Sequence, residues 1–362
     1  MTEATRVVDC DVHFRAPLEA VAKHFDEPWK TRMERDAGEG YAFPTFFPTP
    51  GGGDRFNFGR VNRRSQPEMG ASYPGPMDPE EIPEMMEFLG VDACLVLEHM
   101  MLISGGIDAD DDRQQTYTRG LTRYLLEEVV DPDAGQYTAL PIPVSDPEAA
   151  VELIDDYGDE DGIVGIYLIT GGPEPPLGNH RYEPMYEAAE RKGLPAVFHT
   201  AGSGLDEYHV KGYEKFISTH TLGFLNNNMS QATSVVVQGI PEKFPDLDIA
   251  FLEAGIFWVG LMMSRLDTEY LKRPSEAAHL TRRPSEYMKE FYYGTQPLET
   301  DVEPRYVETM IEMIGGADRL LYASDFPHWD FDRPSIIEDR PFLTAAEKAK
   351  ILGGNAGAVF GI

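Results

Sequence analysis

Short apolar runs recur along this chain of 362 residues, separated by longer stretches in which apolar positions return every three or four residues. The runs predict strands at 6–13 (RVVDCDVH), 92–99, 137–144, 162–169 (GIVGIYLI), 194–200, 248–254, 291–295 and 319–325. The longer stretches predict helices at 78–89, 114–130, 146–157, 181–192, 229–240, 256–271, 303–314 and 344–352. In Asp78-Pro79-Glu80 and Asp146-Pro147-Glu148, a side-chain acceptor precedes a proline whose fixed φ suits a first helical turn. Continuous apolar strands alternating with amphipathic helices bury a parallel sheet on both faces. The expected fold is a (β/α)8 TIM barrel, distorted by insertions, with an open doubly wound sheet as the alternative.

Two connections break the alternation, one after the first strand (14–77, rich in Gly, Pro and Phe) and one after the fifth (201–228). Both follow the C-terminal ends of strands, where a barrel builds its catalytic face. They read as lids or pocket walls within one domain spanning 1–362 rather than as linkers. Gly51 to Gly53 follows no strand and precedes no Lys-Ser/Thr, so a flexible turn is expected there rather than a phosphate loop.

Charge narrows the partners. A net charge of −31 disfavours nucleic acid and anionic lipid, and no apolar run approaches the roughly 20 residues needed to cross a bilayer. Met1 to Arg6 lacks the basic start and apolar stretch of a signal peptide, which places the chain in the cytoplasm. Cys10 and Cys94 sit in apolar runs and are expected as reduced core thiols. Acids are spread along the chain (DADDD at 108–112, DDYGDED at 155–161), as on surfaces adapted to a high-salt cytosol; an ordinary acidic surface is the alternative.

The candidate chemistry lies at strand ends. Asp9, Asp11 and His13 close the first strand, His199 the fifth and Asp325 the eighth. Residues two apart in a strand share a side, so Asp11 and His13 can converge on one ion, with Asp9 deeper on the same side. Two imidazoles and two carboxylates with one open position suit Zn²⁺, with Mn²⁺ as the alternative. Arg15 could clamp a substrate carboxylate or form an exposed salt bridge, and His99 ends strand two at the same rim. His328 is placed to line the pocket or to orient Asp325, and His220 to supply an imidazole or anchor its loop. Phe257, Trp258, Tyr292 and Trp329 are expected to pack rather than to stack on substrate.

Several segments carry a family resemblance: VVDCDVH at the first strand, FHT at the fifth, LEAGIFWVGLMMSRLD at 252–267, YASDFPHWD at 322–330 and the closing ILGGNAGAVFGI. Together they resemble the amidohydrolase-related family that includes aminocarboxymuconate-semialdehyde decarboxylase. The resemblance implies a distorted barrel holding one divalent metal at Asp11, His13, His199 and Asp325, with Asp11 where many members have the first His of an H-x-H pair. Strand four has no lysine of the kind that bridges two metals in binuclear members of the wider superfamily, so a mononuclear site is implied. Glu253 stands where the decarboxylase branch carries a histidine; it is read as a proton shuttle or as a partner of Arg265.

The expected activity is therefore metal-dependent hydrolysis of a small organic acid, amide, lactone or aromatic carboxylate. Asp325 would act as ligand and general base, with Glu253, His220 or His328 relaying the proton. The alternative is non-oxidative decarboxylation of a small aromatic or enol carboxylate. A third reading, of another class, is a non-catalytic small-molecule-binding barrel. The resemblance leans toward a homodimer. If the acidic surface is salt-adapted, raising KCl from about 0.1 M to about 2 M should raise the melting temperature by several degrees as screening relieves self-repulsion. An unchanged melt would favour an ordinary acidic surface.

Overall fold

The computed structural model describes residues 6–14, 16–38, 78–98, 111–200, 216–328 and 330–362. Its strands are β1 (Val8–Phe14), β2 (Ala93–Glu98), β3 (Gln136–Pro141), β4 (Ile163–Ile169), β5 (Ala196–His199), β6 (Ile249–Leu252), β7 (Tyr292–Gly294) and β8 (Leu320–Leu321). They form one eight-stranded sheet in sequence order, and every neighbouring pair is parallel. The sheet curls until β1 meets the segment after β8 through a parallel bridge, Val12 to Phe326. The fold is a TIM barrel, as the alternation predicts. Every residue of β1, β2, β4, β5 and β6 is buried, the pattern of a sheet covered on both faces.

Inside the packing shell, Phe198 of β5 stacks on Phe251 of β6 at 4.7 Å, and Trp258 meets Phe251 edge-on at 5.7 Å. Trp258 thus packs as expected, while Trp329 lies outside the described residues. Cys10 and Cys94 are buried free thiols. Among the described residues no helix is long and apolar enough to cross a membrane.

Two predicted elements change most. The helix expected at 229–240 runs from Phe216 to Val237, so part of the expected connection is helical. Polar residues hid it in the sequence, because some of them face inward and bond strand ends and loops. Asn228 donates to the Leu252 carbonyl (2.9 Å), and Gln231 both donates to the Thr170 carbonyl (3.0 Å) and accepts from the Leu177 amide (2.7 Å). The eighth strand shrinks from 319–325 to Leu320–Leu321. Beyond it the chain leaves its ladder with β7 and bonds to β1: Cys10 N–H donates to Tyr322 O (2.9 Å), and Asp325 N–H to Asp11 O (2.9 Å). Asp325 therefore sits in the turn after β8, at φ 64°, rather than at a strand end.

Glu253 (φ 56°) and Asp325 are the non-glycine residues in the left-handed region among the described residues, and both stand at the C-terminal rim. Such residues store strain that the surrounding fold must hold. Gly255, at φ +59°, closes the Glu253 turn against the β7 loop, where an added Cβ would meet the Pro297 carbonyl oxygen at 2.4 Å. Gly255→Ala should destabilise the protein by about 1–3 kcal/mol, which a denaturant titration would register as a lower midpoint at unchanged slope.

Candidate active site

β1 carries a bulge that aims the site. Asp9 pairs with Cys94 and Val12 with Val96, so the register shifts between Asp9 and Val12 and the strand bends there. Asp11 and His13 then meet His199 from β5 and Asp325 from the turn after β8. His13 Nε2 lies 3.4 Å from Asp11 Oδ1 and 3.1 Å from Asp325 Oδ1, and His199 Nε2 lies 3.1 Å from Asp11 Oδ1. All of these side chains are buried.

The imidazole tautomers decide what this cluster needs. His13 Nδ1 faces the Leu97 carbonyl at 3.3 Å and His199 Nδ1 faces the Thr200 carbonyl at 2.6 Å. With the ring proton donated to a carbonyl on that side, each neutral Nε2 turns a lone pair toward carboxylate oxygens, an arrangement that repels unless a cation lies between. Two donors each about 2.1 Å from one ion are about 3.0–3.4 Å apart at octahedral to tetrahedral angles, the spacing found here. Among the described residues, Asp11 Oδ2 is buried with no hydrogen-bond partner, and Asp11 and Asp325 meet imidazoles rather than guanidinium or ammonium groups. The donor set thus fits a divalent metal, in two overlapping groups, Asp11–His13–His199 and His13–Asp325–His328.

A proton competes with a cation for these same lone pairs. Burial alone would raise the Asp325 carboxyl, but His328 and His13 outweigh it and hold Asp325 below the usual carboxylate range. Burial lowers His13, yet Asp11 and Asp325 overcome it and leave the ring raised. Burial also lowers His328, with Asp325 opposing. Asp9 does not join the cluster. Its Oδ1 accepts from the amides of Ser324 (2.8 Å) and Asp11 (3.1 Å), tying β1 to the segment that carries Asp325. Burial pushes its carboxyl up to about 7 against those hydrogen bonds.

A cavity of about 210 Å³ adjoins the cluster at Asp325. Glu253 and Asp325 line it from the barrel, Gln296 and Glu299 from the segment after β7, and His220 and Phe224 from the helix 216–237. Glu253 Oε2 is 3.4 Å from His199 Nδ1 and Oε1 is 3.8 Å from His328 Nδ1, while Arg265 pairs with Glu269 instead of Glu253. His328 Nδ1 is in close contact with Asp325 Oδ1. His220 faces the cavity and pairs with Asp330 at 3.6 Å. Arg15 and His99 lie outside the described residues.

The sequence reading passed over Tyr167, Gln296 and Asp330. The Tyr167 ring meets His199 edge-on at 5.5 Å, and its buried hydroxyl has no hydrogen-bond partner among the described residues. Strand four had been read only for its lack of lysine. Gln296 stands just beyond β7, where inspection of the polar residues after every strand would have raised it.

Residues 8–362 match the amidohydrolase family pattern. The chain belongs to the amidohydrolase family. It falls in the branch that includes the aminocarboxymuconate-semialdehyde and gamma-resorcylate decarboxylases. It is 24% identical to a gamma-resorcylate decarboxylase of Rhizobium sp. over 229 residues, 60% of this chain and 68% of the relative. An amidohydrolase from Mycobacterium avium subsp. paratuberculosis shares the fold at TM-score 0.75 and 20% identity, over 98% of this chain and 99% of its own. A dihydroxybenzoic acid decarboxylase from Polaromonas sp. JS666, solved with manganese and the inhibitor 2-nitroresorcinol, does so at TM-score 0.69 and 17% identity, over 99% and 97%.

These relatives overturn the expected hydrolysis of an amide, lactone or organic acid. The curated proteins that match are named for losing CO2 from an aromatic carboxylate, and the decarboxylase alternative replaces the hydrolase reading of this amidohydrolase. Glu253 in place of histidine had argued the other way, but a carboxyl group can carry the same proton.

If Asp9 positions the cluster, Asp9→Asn, which keeps the accepting Oδ1, should bind Mn²⁺ nearly as the parent does. Asp9→Ala should bind it about 10–100-fold more weakly, as measured by competition with a chromogenic chelator.

Proposed function

We propose that this amidohydrolase is a non-oxidative decarboxylase of a small aromatic carboxylate, with one divalent metal held by Asp11, His13, His199 and Asp325. The observation that carries the reading is the match to gamma-resorcylate decarboxylases; the buried donor cluster at the barrel's C-terminal rim supports it. Mn²⁺ is the metal we favour over the Zn²⁺ first expected. Hard carboxylate oxygens supply half of the proposed ligands, and the solved Polaromonas relative holds manganese.

A bound divalent ion would supply attraction for the anionic oxygens of the substrate. The protein's own groups divide the remaining work. Asp325, held below the usual carboxylate range, is a ligand and a poor acid. His328 contacts Asp325 through Nδ1 and orients it. Glu253 lines the cavity and is the proton donor: as a carboxylic acid it gives its proton to the ring carbon that bears the carboxylate. The bond to the carboxylate then breaks, its electron pair returns to the ring, CO2 leaves, and Glu253 regains a proton from solvent. The His220–Asp330 pair lines the same cavity as Glu253.

The test is incubation of Mn²⁺-loaded protein with hydroxybenzoates in D2O, following CO2 and deuterium at the vacated ring carbon. Glu253→Gln should lower kcat by about 10²–10⁴-fold with metal content unchanged. Asp325→Asn should lose bound metal together with turnover. Failure to release CO2 from any hydroxybenzoate would sink the reading, and full activity in Glu253→Gln would remove Glu253 as the donor.

A further inference from the structure

The helix 216–237 bonds to the ends of both β5 and β6. The ladder between those strands ends at the pair His199 and Leu252. Beyond it, the Thr200 hydroxyl donates to the Phe224 carbonyl (3.4 Å), and Asn228, one turn further along the helix and fully buried, donates its amide to the Leu252 carbonyl (2.9 Å). These contacts hold the residue after His199 and the residue before Glu253. Glu253 needs such a hold. It stands at φ 56°, where a side chain is disfavoured, and on the far side of its turn the Gly255 amide bonds the Gln296 carbonyl at 3.1 Å. Asn228 restrains the near side. It fixes the peptide from which Glu253 leaves β6, and with it the direction of a side chain that reaches His199 at 3.4 Å and lines the cavity.

We infer that Asn228 is a positioning residue: by holding the Leu252 carbonyl it keeps the Glu253 carboxyl aimed at the substrate's ring carbon. The inference rests on the decarboxylase reading, in which Glu253 gives the proton; Asn228 lies outside the cavity lining and acts through the turn. A proton passes only within hydrogen-bond reach, so a donor displaced by about 1 Å slows turnover without loosening the substrate's carboxylate. The donation to Leu252 is the bond this amide makes among the described residues, its Oδ1 being buried with no partner there. Asn228→Leu, close in size, therefore deletes one hydrogen bond and one unpaired acceptor together, and the fold should survive it. Asn228→Ala, which asks for no space, covers the case in which Leu is not accommodated. Gln231, on the next turn of the helix, is the control, since it bonds the Thr170 carbonyl and the Leu177 amide in the segment after β4.

The test compares the Mn²⁺-loaded parent, Asn228→Leu, Asn228→Ala and Gln231→Leu by steady-state decarboxylation of a hydroxybenzoate, by metal content, and by amide hydrogen exchange over residues 252–258 read by mass spectrometry. Both Asn228 variants should lose about 10–100-fold in kcat, with KM within about threefold of the parent's and metal content unchanged. The segment 252–258 should exchange about tenfold faster or more. Gln231→Leu should lower the melting temperature while keeping kcat and the exchange of 252–258 close to the parent's. The inference is overturned if a folded, metal-loaded Asn228 variant keeps the parent's kcat or its exchange, if the loss falls on KM instead, or if Gln231→Leu reproduces the effect. Absence of CO2 release from the parent would defeat the decarboxylase reading separately; exchange at the turn needs no substrate and decides by itself whether Asn228 holds Glu253.

Discussion

The seam between β1 and the segment after β8 is the constraint on which the rest of this barrel depends. β8 contributes only Leu320 and Leu321 to the ladder, so closure falls to hydrogen bonds made by irregular backbone and to one buried carboxylate, Asp9, which holds the Ser324 and Asp11 amides together. Closing the barrel this way does more than complete the sheet. Asp11 and Asp325 stand beside the two amides that Asp9 or its neighbours hold, and the Asp325 amide itself bonds to the Asp11 carbonyl. The same few contacts that close the fold place two carboxylates from opposite ends of the chain against the same imidazoles.

That placement is costly in isolation. Four buried side chains, Asp11, His13, His199 and Asp325, bring ring nitrogens and carboxylate oxygens together at about 3 Å, and two rim residues, Glu253 and Asp325, adopt backbone conformations that β-carbons disfavour. The costs share an answer in a divalent cation, whose binding free energy would be spent on a site preformed by the seam rather than on ordering the chain.

Apolar strands, proline-led helix starts and the D-x-H at the first strand were legible in order along the chain, because burial on both faces of a parallel sheet and a period of two leave local traces. They determined the barrel and the members of the donor cluster. Local patterning could not reveal that Asp325 sits in a turn, because the apolar run Leu320–Ala323 looks like a full strand and only its bonding to β1 ends it. Nor could it reveal the helix from Phe216, whose inward amides serve strand ends and loops distant in sequence. The cavity lining belongs to the same class. Its residues come from the turn after β6, the segment after β7, the turn after β8 and the helix from Phe216, and three-dimensional closure alone makes them one surface. Strand periodicity specified which side chains face inward. The tertiary structure decided which of them share a cavity, because a barrel's rim gathers residues by angle around its axis rather than by distance along the chain.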